Sequence, residues 1–409
     1  MNTKKKSARF FLLACVVLTT NCGCKKNIQI DDPLPIETPA LSIVPPAPAP
    51  IEIGSGSGTL LLQDQTDKNF VIKAGTYTGF QFKNLKNVTI DGLNKVKVEG
   101  GMVNLFAMNR VALMNFNIEN SPYRAIQIFD DANDLILQGL NLINIKDNCI
   151  SFRIDKPFTG DPSSFSNNIQ LLDIVADNIN TFFDAAGSVT NNGFTGLIKK
   201  FKMANCTIKN SPLLSDGVWL GCAENYEFSN NKIDNVNSQQ GNHNGIFHVV
   251  GNGKFFDNTC TNHQGNMVRA WTCSITTPGT LEIYNNVVWN SSRYGAFEIQ
   301  VPPSMKSMGA FKPIVSAMVY NNTVGLLNTG RPKYFEGRLL DLYNAYTTIQ
   351  VYNNLLFNNA DSEILNNSST PDINFLNKFA NNIYKEKASD AVGDLKSYRS
   401  VIPGVGASR

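Results

Sequence analysis

The chain holds three histidines in 409 residues, His243, His248 and His263, all in one short stretch. Their spacing matches no standard zinc motif. His248 sits in Gly245-Ile246-Phe247-His248-Val249, and Arg269 follows in the similar segment Asn266-Met267-Val268-Arg269-Ala270. A neutral imidazole can take a proton from carbon near neutral pH. A guanidinium can pair with a carboxylate and stabilise the enolate charge that develops beside it. The pair suits β-elimination on a uronic-acid polymer, with His248 as base and Arg269 as carboxylate partner. Lys254, in the turn Gly251-Asn252-Gly253-Lys254, is placed to assist.

Those residues need elements that bring distant segments into line. Alternation along a strand sends every second side chain outward. In Ile150-Ser151-Phe152-Arg153-Ile154 it leaves Ser151 and Arg153 outside, and in Phe182-Phe183-Asp184 it leaves Asp184. Asp216 in Ser215-Asp216-Gly217-Val218-Trp219 has an ambiguous phase, and Ala296-Phe297-Glu298-Ile299 adds Glu298. Burial of an unpaired Arg is very costly, so Arg269 is expected outside. The result is a polar stripe of Arg153, Asp184, Asp216, His248, Arg269 and Glu298, with His243, Trp219, Trp271 and Tyr294 close in sequence. Taken singly, each is an ordinary solvated residue. Taken together, charges that read hydroxyls and carboxylates, flanked by aromatic faces, suit an extended oligosaccharide.

The scaffold shows itself as a repeat. Asparagine occurs 52 times, about one residue in eight, while charged residues are only 17%. Asn is a poor helix former, so coiled coils and long-helix folds are excluded, and the abundant apolar residues argue against bulk disorder. Units such as Met114-Asn115-Phe116-Asn117-Ile118, Asn230-Asn231-Lys232-Ile233 and Asn353-Asn354-Leu355-Leu356 recur. Aligned, they give anchors at 91, 115, 139, 173, 205, 231, 258, 286, 322, 354 and 382, with a base period near 24. A fixed period of this size marks a solenoid. Strand alternation makes it an all-β solenoid of about eleven coils, about 48 Å long at the interstrand spacing of ~4.8 Å. Asn, Asp and Gly tolerate the left-handed backbone of a tight corner, and their side chains can stack as a ladder. Four intervals carry longer insertions, around 155–162, 191–194, 301–305 and 329–335. Loops of this kind either wall a groove or simply drift in length.

Residues 59–395 resemble the single-stranded right-handed parallel β-helix of the pectate-lyase-like superfamily. The opening Phe70-Val71-Ile72-Lys73-Ala74-Gly75-Thr76-Tyr77-Thr78-Gly79 is similar to the first coil of such polysaccharide lyases. The handedness comes from this resemblance. The β-helix alginate and chondroitin lyases use a lysine base with an arginine about one coil later; His248 and Arg269 stand at those two places. That family implies acidic calcium ligands shortly before the base. Gly241 and His243 stand there instead, so no cofactor is expected, calcium being the one the family would bring. Polygalacturonase-like β-helices use close aspartates for hydrolysis. Asp184 and Asp216 are candidates, although that family's paired-aspartate and Gly-His-Gly motifs are absent. A non-catalytic glycan-binding or adhesive β-helix would need the stripe but no base.

The ends of the chain read as address and tether. Lys4-Lys5-Lys6 and the apolar run Phe10–Leu18 form a signal peptide over 1–23. Gly23-Cys24 resembles a bacterial lipoprotein cleavage box, so Cys24 is the expected lipid attachment point, with cleavage at Cys22 the other option. Such an anchor holds a protein on a membrane without a spanning helix, here on the outer membrane, facing periplasm or cell surface. Residues 24–58 form a tether, with seven of the 18 prolines between Pro33 and Pro50. Residues 396–409 form a C-terminal tail. The formal charge of +3 becomes −1 without residues 1–23, which argues against nucleic-acid binding. The expected partner of a monomeric chain is an acidic polysaccharide. Of eight cysteines, Cys149, Cys206, Cys222, Cys260 and Cys273 lie beyond the processing region. Buried free thiols are the default for such residues in a solenoid core.

Overall fold

The computed structural model describes residues 49–154, 156–185, 187–190, 193–239, 245–276, 278–307, 312–314, 316–330, 336–345, 347–357, 365–367 and 376–408. The signal peptide, Cys24, most of the tether and His243 lie outside these residues.

Each turn of chain delivers three strands, and each strand pairs in parallel with its counterpart one turn later. Asn266–Trp271, Thr280–Tyr284 and Val287–Ser291 pair in order with Phe297–Gln300, Ser316–Tyr320 and Thr323–Gly325. One inward ladder runs Ile51–Phe70–Ile90–Leu113–Leu137–Leu171–Met203–Phe228–Phe255–Ile283–Val319–Val351–Phe379. Its interior members are buried, while Ile51 and Phe379 at its ends are about half exposed. This is a parallel β-helix. The described residues hold one four-residue α-helix, Pro303–Lys306, and no helix among them is long and apolar enough to cross a membrane. Inward phenylalanines fill the middle of the rod: Phe183, Phe201, Phe228, Phe247 and Phe255 pack ring to ring at 4.7–5.5 Å. Burying one such side chain stabilises the fold by about 1.5–3 kcal/mol.

The corner asparagines fall into two neighbouring columns. The first takes the left-handed backbone: Asn115, Gly139, Asp173, Asn205, Asn230, Asp257, Asn285, Asn321, Asn353 and Asn381 all have positive φ. The second points into the core, and it changes character along the rod. Its early members are Phe116, Leu140, Ile174 and Cys206; from there it becomes Asn231, Asn258, Asn286, Asn322, Asn354 and Asn382. Each of the first five amides donates to the oxygen of the next at 2.9–3.0 Å, and Asn382 donates to Val351 O. The anchors expected from sequence therefore slip by one residue at Asn231, from the left-handed column to the inward one. Asp91 belongs to neither, since it pairs with Met114 one place earlier.

Both ends of the rod differ from expectation. Parallel pairing begins at Ile51, so the segment through Gly54 and Gly58 is part of the first turn rather than tether. The C-terminal tail is packed. The Tyr398 ring packs against Trp289 at 4.9 Å, tilted by 41°, Gly406 N donates to Asn353 O at 2.9 Å, and Ala407 N donates to Thr323 Oγ1 at 2.7 Å. Ser408 N reaches back to Asn285 Oδ1 at 2.7 Å. All five cysteines among the described residues are buried and free.

Candidate functional site

One outward column carries most of the expected polar stripe. It runs Gln127–Ser151–Asp184–Trp219–His248–Arg269–Glu298–Asp341 by register. Trp219 is thus a rung of the stripe itself. Asp216 lies three residues before Trp219 and faces the next rung, its Oδ1 3.4 Å from His248 Nδ1. Asn148, Thr181, Asp184, Asp216, Trp219 and His248 line one open cleft of about 400 Å³. Gly245 permits the close packing here, because a Cβ on it would fall 2.5 Å from Arg269 Cβ.

His248 is 7% exposed, wedged edge-on between Trp219 and Trp271, with ring centroids 4.4 and 5.0 Å away. Its Nε2 is enclosed and has no hydrogen-bond partner. Burial pushes its pKa below the ordinary value, with Arg269 acting in the same direction and Asp216 and Glu298 opposing. The imidazole is therefore neutral at pH 7. Asp184 shifts the other way. Burial raises its pKa, helped by Asp147 and Asp216 and opposed by Arg153 and Arg124. Its Oδ2 accepts from Asn148 Nδ2 at 3.0 Å. Asp184 and Asp216 thus bring two carboxyl groups to the same cleft.

Several expected residues lie elsewhere. Glu298 is 1% exposed and holds Arg269 Nε at 3.1 Å; it orients the guanidinium and does not present a carboxylate to solvent. Tyr294 is buried too, its backbone turned left-handed at φ 67°. Arg153 stands outside the column, on the neighbouring one with Phe129. Lys254 faces a different side of the rod, paired with Glu282 at 3.1 Å, in a separate shallow pocket with Asn225, Glu227 and Thr280. The chain turns between His248 and Lys254 at Gly251, whose φ of 128° brings its backbone so close to Ala223 O that a Cβ would sit 1.8 Å away. His263 is a core residue, with Nδ1 3.0 Å from Gly265 O and its pKa pushed down to about 4 by burial.

The inserted loops pack beside the cleft. Phe194, Leu197, Ile275, Val301 and Met305 form a small second core, against which Trp219 and Trp271 rest. Buried Glu224 ties this core to the rod. It accepts from Thr276 Oγ1 at 2.7 Å and meets Lys199 Nζ at 3.5 Å. Sequence reasoning passed over Asn148, Thr181, Arg124 and Asp341. The outward alternation that marked Ser151 and Asp184 marks Asp341, between Leu340 and Leu342, as well; Asn148 is out of phase with Ser151, so only the strand pairing places it. Among the described residues no group of three or more His, Cys, Asp or Glu is placed to hold a metal.

No protein-family model matches the chain, and no curated protein matches it. Solved structures similar to it include a PL6 alginate lyase in complex with a trisaccharide, at 11% identity and a TM-score of 0.40, covering 88% of this chain and 85% of that one. Another is a mutant of the PL6-family alginate lyase AlyGC, at 12% identity and a TM-score of 0.37, covering 87% of this chain and 53% of that one. Likeness at this level assigns neither a family nor an activity.

Proposed function

We propose that the chain cleaves a uronic-acid-containing polysaccharide by β-elimination, in the cleft where Asp216 meets His248. The observation that carries this reading is the neutral, buried imidazole at the cleft wall. Its Nδ1 lies beside a carboxylate and its Nε2 has no protein partner. An orphaned buried nitrogen costs about 1–3 kcal/mol and asks for a function. Nε2 takes the proton from C5 of the uronate once Trp219 or Trp271 turns aside, and Asp216 stabilises the imidazolium. Arg269 pairs with the uronate carboxylate. The electron pair forms the C4–C5 double bond as the C4–oxygen bond breaks, and Asp184, whose pKa burial raises, supplies the proton to the leaving oxygen. Within this reading the β-helix is right-handed, of about eleven coils. The chain is exported as a monomer and tethered through a lipid on Cys24 to the outer membrane.

The raised pKa of Asp184 beside Asp216 favours a second reading, hydrolysis by a carboxyl pair. A panel of acidic polysaccharides separates the two. Elimination gives an unsaturated product that absorbs in the ultraviolet, and His248→Ala abolishes it while glycan binding persists. New reducing ends without that absorbance support hydrolysis, and no cleavage of any uronate polymer sinks both.

A further inference from the structure

The outer face carries a second column beside the cleft, running toward the N-terminal end. Its rungs are Lys83, Phe106, Phe129 and Arg153. Phe106 and Phe129 are only partly buried, yet they point away from the core and stack face to face, centroids 4.5 Å apart and planes 2° from parallel. Lys83 and Arg153 flank them, exposed and without an ion-pair partner among the described residues. Three rungs at ~4.8 Å place these cations about 14 Å apart. Next to Arg153, Ser151 Oγ is buried with no hydrogen-bond partner, and the following rung is Asp184 of the cleft.

We propose that this column is a binding subsite for an acidic glycan, continuous with the cleft. The two cations bracket consecutive anionic sugars, and the phenylalanine pair gives an apolar ridge for their C–H faces. Charge complementarity argues for the occupant: an apolar strip flanked at both ends by exposed cations fits a regularly spaced polyanion rather than a neutral chain. The subsite rests on the proposed function only for its substrate class. It commits that site to a polymer several sugars long, extending from the cleft toward the first turns of the rod.

The test is retardation of the protein in native gels containing polygalacturonate, alginate or chondroitin sulfate, with neutral dextran as control. The wild type is expected to be retarded by at least one acidic polymer and not by dextran. Phe106→Ala/Phe129→Ala and Lys83→Gln/Arg153→Gln should each weaken that binding at least fivefold, and the second should flatten its salt dependence. The substituted side chains lie on the outer face, and unchanged thermal unfolding verifies the fold. Absence of retardation by every acidic polymer overturns the proposal, as does wild-type binding by both variants. Binding that the variants lose, from a protein that cleaves nothing, leaves the subsite standing and removes only the chemistry.

Discussion

Asn286 lies in the middle of the inward amide ladder, and its replacement can be worked through atom by atom. Its Oδ1 accepts from Asn258 N at 3.0 Å and Asn258 Nδ2 at 2.9 Å. Its Nδ2 faces Phe255 O, Tyr284 O and Asn322 Oδ1, each at 3.0 Å. Asn286→Ala orphans Asn258 N, a buried donor costing about 1–3 kcal/mol, and leaves a small void. Asn258 Nδ2 keeps its bond to Phe228 O, so the loss should total about 2–4 kcal/mol. Asn286→Asp keeps the acceptor but turns an oxygen toward three oxygens. Nothing there can donate to it, so burial of the charge should cost more than the alanine change. The folded-state pKa of that aspartate is then raised above its unfolded value of about 3.9. Its stability is present below that unfolded value and is lost as pH rises through the folded one. Urea unfolding at pH 7 and at pH 4 measures both effects. An aspartate variant as stable as the alanine variant at pH 7, or one that gains nothing relative to wild type on acidification, would refute the ladder's polarity.

His263 supplies a pH dependence with the opposite sign. Its pKa is depressed to about 4 from 6.5, so its contribution is present above pH 6.5 and is lost as pH falls from there toward 4. The full loss is on the order of 3 kcal/mol, and His263→Gln should remove that part of the slope in urea titrations across the window. Lys254→Ala should leave cleavage within about twofold of wild type, because Lys254 pairs with Glu282 on another face; a loss near that of His248→Ala would show that the two share a site.

How much of this was legible in sequence depended on what each residue's role depends on. The corners were legible because a left-handed backbone restricts residue type locally; of the 34 non-glycine residues with positive φ among the described residues, 22 are asparagine, so the type betrays the conformation. The one-residue slip was not, because pairs such as Asn230-Asn231 and Asn285-Asn286 fill both columns with the same residue. Only the strand pairing shows which amide turns inward. The alignment of His248 with Arg269 followed from alternation and period. The burial of Glu298 and Tyr294 did not, because it depends on how neighbouring turns and loops close over the column. Lys254 was misplaced for a related reason. Six residues along a strand preserve the face only if the strand is straight, and Gly251 bends it.

The strapped C-terminal tail bears on when the molecule becomes whole. Ser408 and Ala407 hold residues from the turns at Asn285 and Thr323, more than eighty positions earlier. A solenoid can otherwise grow turn by turn, each new one templated on the last. Here the turns at Asn285 and Thr323 cannot be fastened until residues 407 and 408 have emerged. A chain stalled before those residues would carry a rod whose later turns can peel away. Once they are in place the later turns are stitched to earlier ones, so that fraying there must first break the stitch.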